Sequence, residues 1–369
     1  MHVLLLTLTL GSQHPDTATF LTRIGKDTLA VERFTYDGHV LDGVSVVRSP
    51  SVEVRRYHAV FGPSGPESLT IATGPAGKPA GQVTIYRYTD DSVFVENRRD
   101  TVSKREAGAV RGRPLPFAPD LLGPWEAALS GTMANTAADP RLSLLAGGPA
   151  IQYEVHRGGA DTLHLLIGDH DYGPLVARMD AAGRLQSLDF RATTDKYLAE
   201  LVSGLNVDSM TAVFAARELA GAGLGVLSPR DTLRATVGSA HLLVDYGRPM
   251  RRGRTIFGNV VPWDTVWRTG ANQATQLITD KDLVIGGTAV PAGTYSLFTI
   301  PSSKGWQLII NKQHGQWGTD YDAKQDLARI PMRVRSLATP TERLTIATRG
   351  SDLVISWDLA ETAVVVKAR

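Results

Sequence analysis

The chain has 369 residues, with 39 Lys and Arg against 37 Asp and Glu, and it contains no cysteine. That length can fill two hydrophobic cores, and two domains are expected. The missing thiols exclude disulfide scaffolds, cysteine nucleophiles, thiolate zinc sites, iron–sulfur clusters and a lipid-anchored N-terminal cysteine. The net charge of +2 is unevenly spread: residues 1–228 hold 21 basic against 25 acidic side chains, and residues 229–369 hold 18 against 12.

The chain opens with an apolar run, Val3 to Leu10, too short to span a bilayer. It reads as the apolar centre of a secretory signal with a misassigned start, as an uncleaved membrane-touching segment (residues 1–15), or as an ordinary first strand. Export to a periplasmic or membrane-peripheral location is the expectation. No other segment reaches membrane-spanning length.

From Thr19 to about Asp189 short alternating runs between turn residues predict antiparallel β-structure. Asp37-Gly38 and Asp42-Gly43 read as hairpin turns, because glycine accepts the positive φ of a tight turn. The stretch Arg111–Pro124 carries Pro114, Pro116, Pro119 and Pro124, which predicts a surface crossing between sheets. Strands are expected again from Ala150 to Arg191. Lys196–Gly204 then reads as a short helix and Asn206–Ala220 as a longer one, capped by Asp208 or Ser209 and ended by Gly221.

The glycines and proline of Ala220–Pro229 mark a domain boundary that coincides with the change of charge. Beyond it about ten short strands are predicted in the remaining residues, a spacing that suits a β-sandwich or an incomplete barrel. The expected order is a β-rich domain over 16–190, a helical linker over 191–228 and a β-sandwich over 229–369. The fold class is all-β and mainly antiparallel with a short helical connection, a curved sheet or half-barrel preceding the sandwich.

The densest motifs lie in the second domain. After Ser228-Pro229 come Gly253-Arg254-Thr255-Ile256-Phe257-Gly258 and Trp267-Arg268-Thr269-Gly270-Ala271-Asn272, followed by Ala274-Thr275. Next are Pro291-Ala292-Gly293-Thr294-Tyr295-Ser296-Leu297-Phe298, then Trp306 and Asn311. At these residues the chain resembles a bacterial domain family known only as a domain of unknown function, over Ser228 to about Trp357. That resemblance implies a β-fold in an exported protein and no assigned activity. The first domain resembles, by pattern alone, the curved half-barrels of envelope lipoprotein carriers, which implies an apolar concave face able to hold an acyl chain.

Candidate ligand- or partner-binding residues are Arg248, Arg251, Arg252 and Arg254, a cluster suited to an anionic partner, a phosphate or a carboxylate, or to internal pairing. Trp263, Trp267, Arg268, Asn272, Thr275 and Asn311 join them. A guanidinium beside indole planes suits a carboxylate or phosphate with a flat or sugar-like body, and the amides and hydroxyl add neutral hydrogen bonds. The same groups equally suit core filling and loop ties. His164, Asp169, His170 and Asp171 form a close set of potential ligands but read as a solvated loop. No Gly-x-Ser-x-Gly elbow and no phosphate-binding loop is present, although Lys78 lies among Gly74, Gly77 and Gly81. Neither a catalytic residue, a metal site, a cofactor nor a nucleic-acid partner is expected.

These observations predict a non-catalytic exported binding or scaffold protein, such as an extrinsic subunit docked on a membrane protein complex of a respiratory or photosynthetic membrane, or on another envelope protein. The alternatives are an envelope carrier of a lipid or small anionic ligand, and an envelope hydrolase of glycans or esters.

Overall fold

A computed structural model describes residues 17–110, 112–134, 141–145, 150–168 and 173–369. The apolar run at Val3–Leu10 and the potential ligands Asp169, His170 and Asp171 lie outside them. Two compact units divide the chain: the first holds residues 17–24 and 28–224, the second 25–27 and 225–369.

The first half of unit one is a meander of β1 (Thr17–Ile24), β2 (Asp27–Tyr36), β3 (Val40–Val47), β4 (Glu53–Gly62), β5 (Gly65–Pro75), β6 (Gln82–Tyr88), β7 (Ser92–Arg99) and β8 (Val102–Ala109). The short β9 (Leu115–Pro116) and helix α1 (Leu122–Ala134) follow. A second meander contains β10 (Arg141–Leu145), β11 (Ala150–Arg157), β12 (Thr162–Leu166), β13 (Leu175–Met179), β14 (Leu185–Asp189) and β15 (Leu198–Leu201). Because β15 pairs with both β1 and β14, the meanders fuse into one fifteen-stranded sheet. Its ends are β8 and β9, yet only six residue steps separate Ala109 from Leu115, a reach of roughly 20 Å. The sheet is therefore curved, and it is not closed into a barrel.

Helix α1 packs against β3, β9 and β10. Leu122, Trp125 and Leu129 recur at helical spacing and all are buried, with the Trp125 ring edge-on to Phe117, Tyr153 and Phe190. Helix α2 (Val207–Leu219) seats Val207 and Phe214 in a separate cluster with Leu21, Val31, Val46, Val52 and Val54. Val31, Val46 and Val54 alternate along their strands with Glu32, Ser45 and Tyr57, which belong to the α1 side, so the two helices cover opposite faces.

Four expectations for this unit are corrected. Leu198–Leu201, within the segment read as a short helix, is strand β15, because Ala199 must face the core between β1 and β14. Pro114–Pro116 is buried and joins two ends of one sheet rather than crossing the surface between two sheets. Asp42-Gly43 lies inside β3, where Gly43 stands opposite Tyr57 and a Cβ would run into that ring; Asp37-Gly38 is the turn. The cap of α2 is Asn206 rather than Asp208 or Ser209, which lie in the first turn: the Asn206 side chain accepts from Ser209 N–H, and Gly221 at φ +73° follows the helix end as expected.

Unit two contains β16 (Arg230–Val237), β17 (Ala240–Gly247), β18 (Thr275–Thr279), β19 (Leu283–Ile285), β20 (Thr288–Val290), β21 (Gly293–Ile300), β22 (Trp306–Asn311), β23 (Asp326–Arg349) and β24 (Asp352–Ala368). They form one nine-stranded sheet in the order β16-β17-β18-β21-β22-β23-β24-β19-β20. The early part of β23 pairs with β22, and its register with β24 shifts between Ser336 and Thr345. Irregularity there lets the long strand bend, so the ladder folds into a sandwich-like pair of layers. Leu242, Leu297 and Ile310 from one side and Ile285, Ile355 and Val366 from the other share one core.

Candidate functional site

The arginine-rich segment after β17 is fastened to β23 and β24. Arg248 donates from Nε to the Leu344 carbonyl at 3.0 Å and from Nη2 to Thr345 Oγ1 at 3.1 Å, and its Nη1 lies 3.0 Å from Asp231 Oδ2. Arg251 Nε is 2.7 Å from Asp358 Oδ1, an ion pair whose angle falls outside hydrogen-bond geometry. The buried Arg252 donates through Nη1 to Asp27 Oδ2 at 2.6 Å, within the same unit, and through its backbone N–H to Glu342 Oε1 at 2.9 Å. Arg254 donates to the carbonyls of Arg251 and Met250. Burial, aided by the nearby Arg252 charge, pulls its pKa down to about 10. All four guanidiniums are thus engaged inside unit two.

The Trp-Arg-Thr-Gly-Ala-Asn motif is a tight corner. Trp267 exchanges 2.8 Å backbone hydrogen bonds with Thr299, and its indole N–H donates to the Gly270 carbonyl at 3.1 Å. Thr275 Oγ1 donates to the Thr269 carbonyl at 3.0 Å. Thr269 and Asn272 have φ of +53° and +64°, and a Cβ on Gly247 would strike the Ala271 carbonyl. The small residues of the motif therefore let two backbones touch. The Arg268 stem lies against Gly318, where a Cβ would overlap it. Trp267 stacks on Trp357 at 5.8 Å, and Phe257 meets Trp267, Trp306 and Trp357 edge-on. Trp263 sits beside Phe257 and remains 41% exposed. Asn311 is buried and satisfied: Nδ2 donates to the Asp322 carbonyl and to Asp326 Oδ1, and Oδ1 accepts from Gln313 N–H. Trp267, Arg268, Asn272 and Thr275 are brought together, while Asn311 serves another corner beside Asp322 and Asp326.

The most unusual chemistry lies in unit one, at residues that no sequence motif marks. Glu32 is fully buried on the α1 side of the sheet. It accepts from the Tyr57 hydroxyl, from Leu122 N–H at 2.5 Å and from Gly123 N–H at 3.0 Å. A strand carboxylate thus occupies the positive N-terminal end of α1, where helical N–H groups lack intrahelical partners. Gly123 is required there, since a Cβ would meet the Tyr57 hydroxyl, Leu41 and Phe34. Burial pushes the Glu32 pKa up to about 7, overriding the hydrogen bonds that favour its charged form. Burial also holds the Tyr57 hydroxyl well above its usual range, so it donates. Further along α1, Glu126 accepts from Arg184 Nε at 2.6 Å and from Leu185 N–H at 3.0 Å. A signal for Glu32 existed: it stands between Ala30 and Phe34 on an apolar face.

A third carboxylate marks the opposite face near the open end of the sheet. Glu96 on β7 is 6% exposed and accepts through Oε1 from Arg98 Nε at 2.9 Å, Ser103 Oγ at 3.0 Å and Arg105 Nη2 at 3.3 Å. Arg87 Nη1 lies 3.6 Å from its Oε2. The hydrogen bonds from Arg98 and Ser103 hold its pKa down to about 2. Beside it, every residue of β8 is exposed, and among the described residues no strand pairs with its outer edge. Among the described residues no group of three or more His, Cys, Asp or Glu is arranged to hold a metal ion, and no helix is long and apolar enough to cross a membrane.

Residues 228–366 match the family described as Protein of unknown function (DUF2911). The match covers the tight corner, the arginine segment and the sandwich-like core of unit two, and it ends short of the fifteen-stranded sheet. No curated protein sequence matches the chain.

Proposed function

We propose that the protein acts by binding, as an exported, membrane-peripheral scaffold subunit that docks on a membrane protein complex. The observation that supports this reading is β8. Eight consecutive residues of a sheet's terminal strand lie exposed, and among the described residues no strand pairs with the outward row of its backbone donors and acceptors. An edge of this length is a template for strand addition, and free proteins keep such an edge from self-pairing by placing charges on it. Lys104, Arg105 and Glu106 put three charges at its middle. A partner strand of suitable charge would complete the ladder. Gentle solubilisation of native membranes followed by size separation tests the proposal. The protein should comigrate with a large complex, and amide exchange across residues 102–109 should slow by about tenfold or more in it. Recovery solely as a free monomer would defeat the reading.

A second reading, a carrier of an acyl chain or small anionic ligand, is favoured by the inner face of the curved sheet. Its apolar surface is occupied by one helix, α1, held at its start by Glu32. Ligand entry would require that helix to move. Native mass spectrometry of gently purified protein should then show a copurified ligand, and ligand-free protein from the native source would rule this reading out.

A further inference from the structure

We propose that the face of β6, β7 and β8 carrying Arg87, Arg98 and Arg105 is a binding site for a phosphate group, with Phe94 supporting the body to which the phosphate is attached. Strand register places the residues together: Arg87 lies opposite Phe94, Phe94 opposite Ala107, Glu96 opposite Arg105 and Arg98 opposite Ser103. Arg87, Phe94, Glu96, Arg98, Arg105 and Ala107 line an open cleft of about 540 Å³, a volume in the range of small-molecule sites.

The charge on this face is unbalanced. Glu106 also borders the cleft, but its side chain pairs with Lys104 on the other face of β8, so one carboxylate, Glu96, faces three guanidiniums and two positive charges remain. Glu96 engages one nitrogen each of Arg98 and Arg105 by hydrogen bond and attracts Arg87 from 3.6 Å. The remaining guanidinium N–H groups outnumber the lone pairs that one more carboxylate would offer, whereas a phosphate presents three or four acceptor oxygens. Glu96 acts as a positioning residue: being buried, it holds one nitrogen of each guanidinium while the side chains stay largely in water, at 58%, 51% and 77% side-chain exposure for Arg87, Arg98 and Arg105. The Phe94 ring, 48% exposed on a sheet face, adds an apolar wall. An exposed aromatic ring beside a cationic cluster suits a phosphate carried on a larger body, either a soluble phosphate ester or a phospholipid headgroup.

The purified full chain allows a test that does not depend on any docking partner. Equilibrium binding of inorganic phosphate and of glycerol phosphate should be saturable at one site. It should weaken about tenfold in Arg105→Gln and in Arg98→Gln, the loss of one charge-assisted hydrogen bond. Lys304→Gln, an exposed lysine in the turn between β21 and β22 of unit two, should leave binding unchanged. Arg105 is the more exposed of the two arginines, so its variant keeps the test valid if Arg98→Gln fails to fold. Flotation with vesicles of phosphatidylglycerol in phosphatidylcholine, competed by glycerol phosphate, would identify a lipid headgroup as the source. Glycerol-phosphate binding without flotation would identify a soluble ester. Absence of saturable binding, or equal binding by wild type and Arg105→Gln, would overturn the proposal. Displacement of phosphate by poly-glutamate at lower concentration than by glycerol phosphate would overturn it in favour of an acidic protein surface.

Discussion

The two units solve the same problem, covering the apolar face of a β-sheet, by different means. Unit one keeps a long curved sheet and lays a helix on each face; unit two bends its sheet until the two halves cover each other. One buried carboxylate from each unit shows how much the immediate partners matter. Glu32 faces helix N–H groups and a tyrosine with no cation among its hydrogen-bond partners, and its pKa rises. Glu361 on β24 accepts from Arg335 Nε at 2.6 Å, from Arg349 Nη1 and Nη2 at 2.9 and 3.0 Å and from Ser356 Oγ at 3.2 Å. The Arg349 and Arg335 hydrogen bonds hold its pKa down to about 2. Burial alone does not set the charge of an acid; the partners that replace water do.

The largest expected effect tests the helix that unit one needs and unit two does without. Trp125→Ala should remove about 3–5 kcal/mol, because its ring fills the space between α1 and the second meander. Calorimetry of the full chain measures this, and a loss under about 1 kcal/mol would mean that α1 is not the core of unit one.

Glu32 gives the next effect, through pH. Its folded pKa of about 7 lies above the ordinary 4.5, so the folded state binds the proton more tightly. The associated stability is fully present below about pH 4.5 and is lost as pH rises through about 7, amounting to about 3 kcal/mol. Glu32→Gln keeps the shape without the charge. It should match wild type near pH 5 and exceed it in urea midpoint near pH 8; parallel profiles would show that Glu32 does not titrate in this range.

Glu361 should behave with the opposite sign. Its lowered pKa contributes stability present above about pH 4.5 and lost as pH falls toward about 2. Since the arginine side chains are 60% and 63% exposed, solvent screening reduces the expected cost of Glu361→Gln to about 1 kcal/mol, smaller at high salt. A loss independent of salt would contradict the ion-pair account. The smallest effect is that of Asn272→Gly in the tight corner, and it is read against a β-branched variant. Asn272→Gly should lie within about 0.5 kcal/mol of wild type, whereas Asn272→Val should cost about 1–2 kcal/mol, because a β-branched side chain resists φ of +64°. Equal melting temperatures for the two variants would remove the conformational reason for Asn272.

The alternating runs made the antiparallel all-β class legible, and the helical spacing after Asn206 located α2. The family motifs were legible because they record contacts of short range along the chain, such as Thr275 on the Thr269 carbonyl. Helix α1 was hidden: the prolines ahead of it suggested a surface segment, although Pro124 fits the first turn, where a missing N–H costs little. Strand β15 was hidden for another reason. Four residues carry too little periodicity to oppose a helical reading, and only pairing with β1, far away in sequence, decided them.

The candidate site divides along the same line. Composition determined that no thiol chemistry occurs, and residue types singled out the arginines and tryptophans of unit two. Tertiary structure decided that these arginines bind carbonyls and carboxylates of their own unit and that Trp267 stacks within its core. It also decided that Glu32 meets a helix 90 residues away and that three arginines of adjacent strands surround Glu96. Local preference and alternation are properties of neighbours in the chain, so the sequence by itself carried them. The state and partner of a buried charge depend on what displaces its water, and those groups come together only when the sheet curves or folds over.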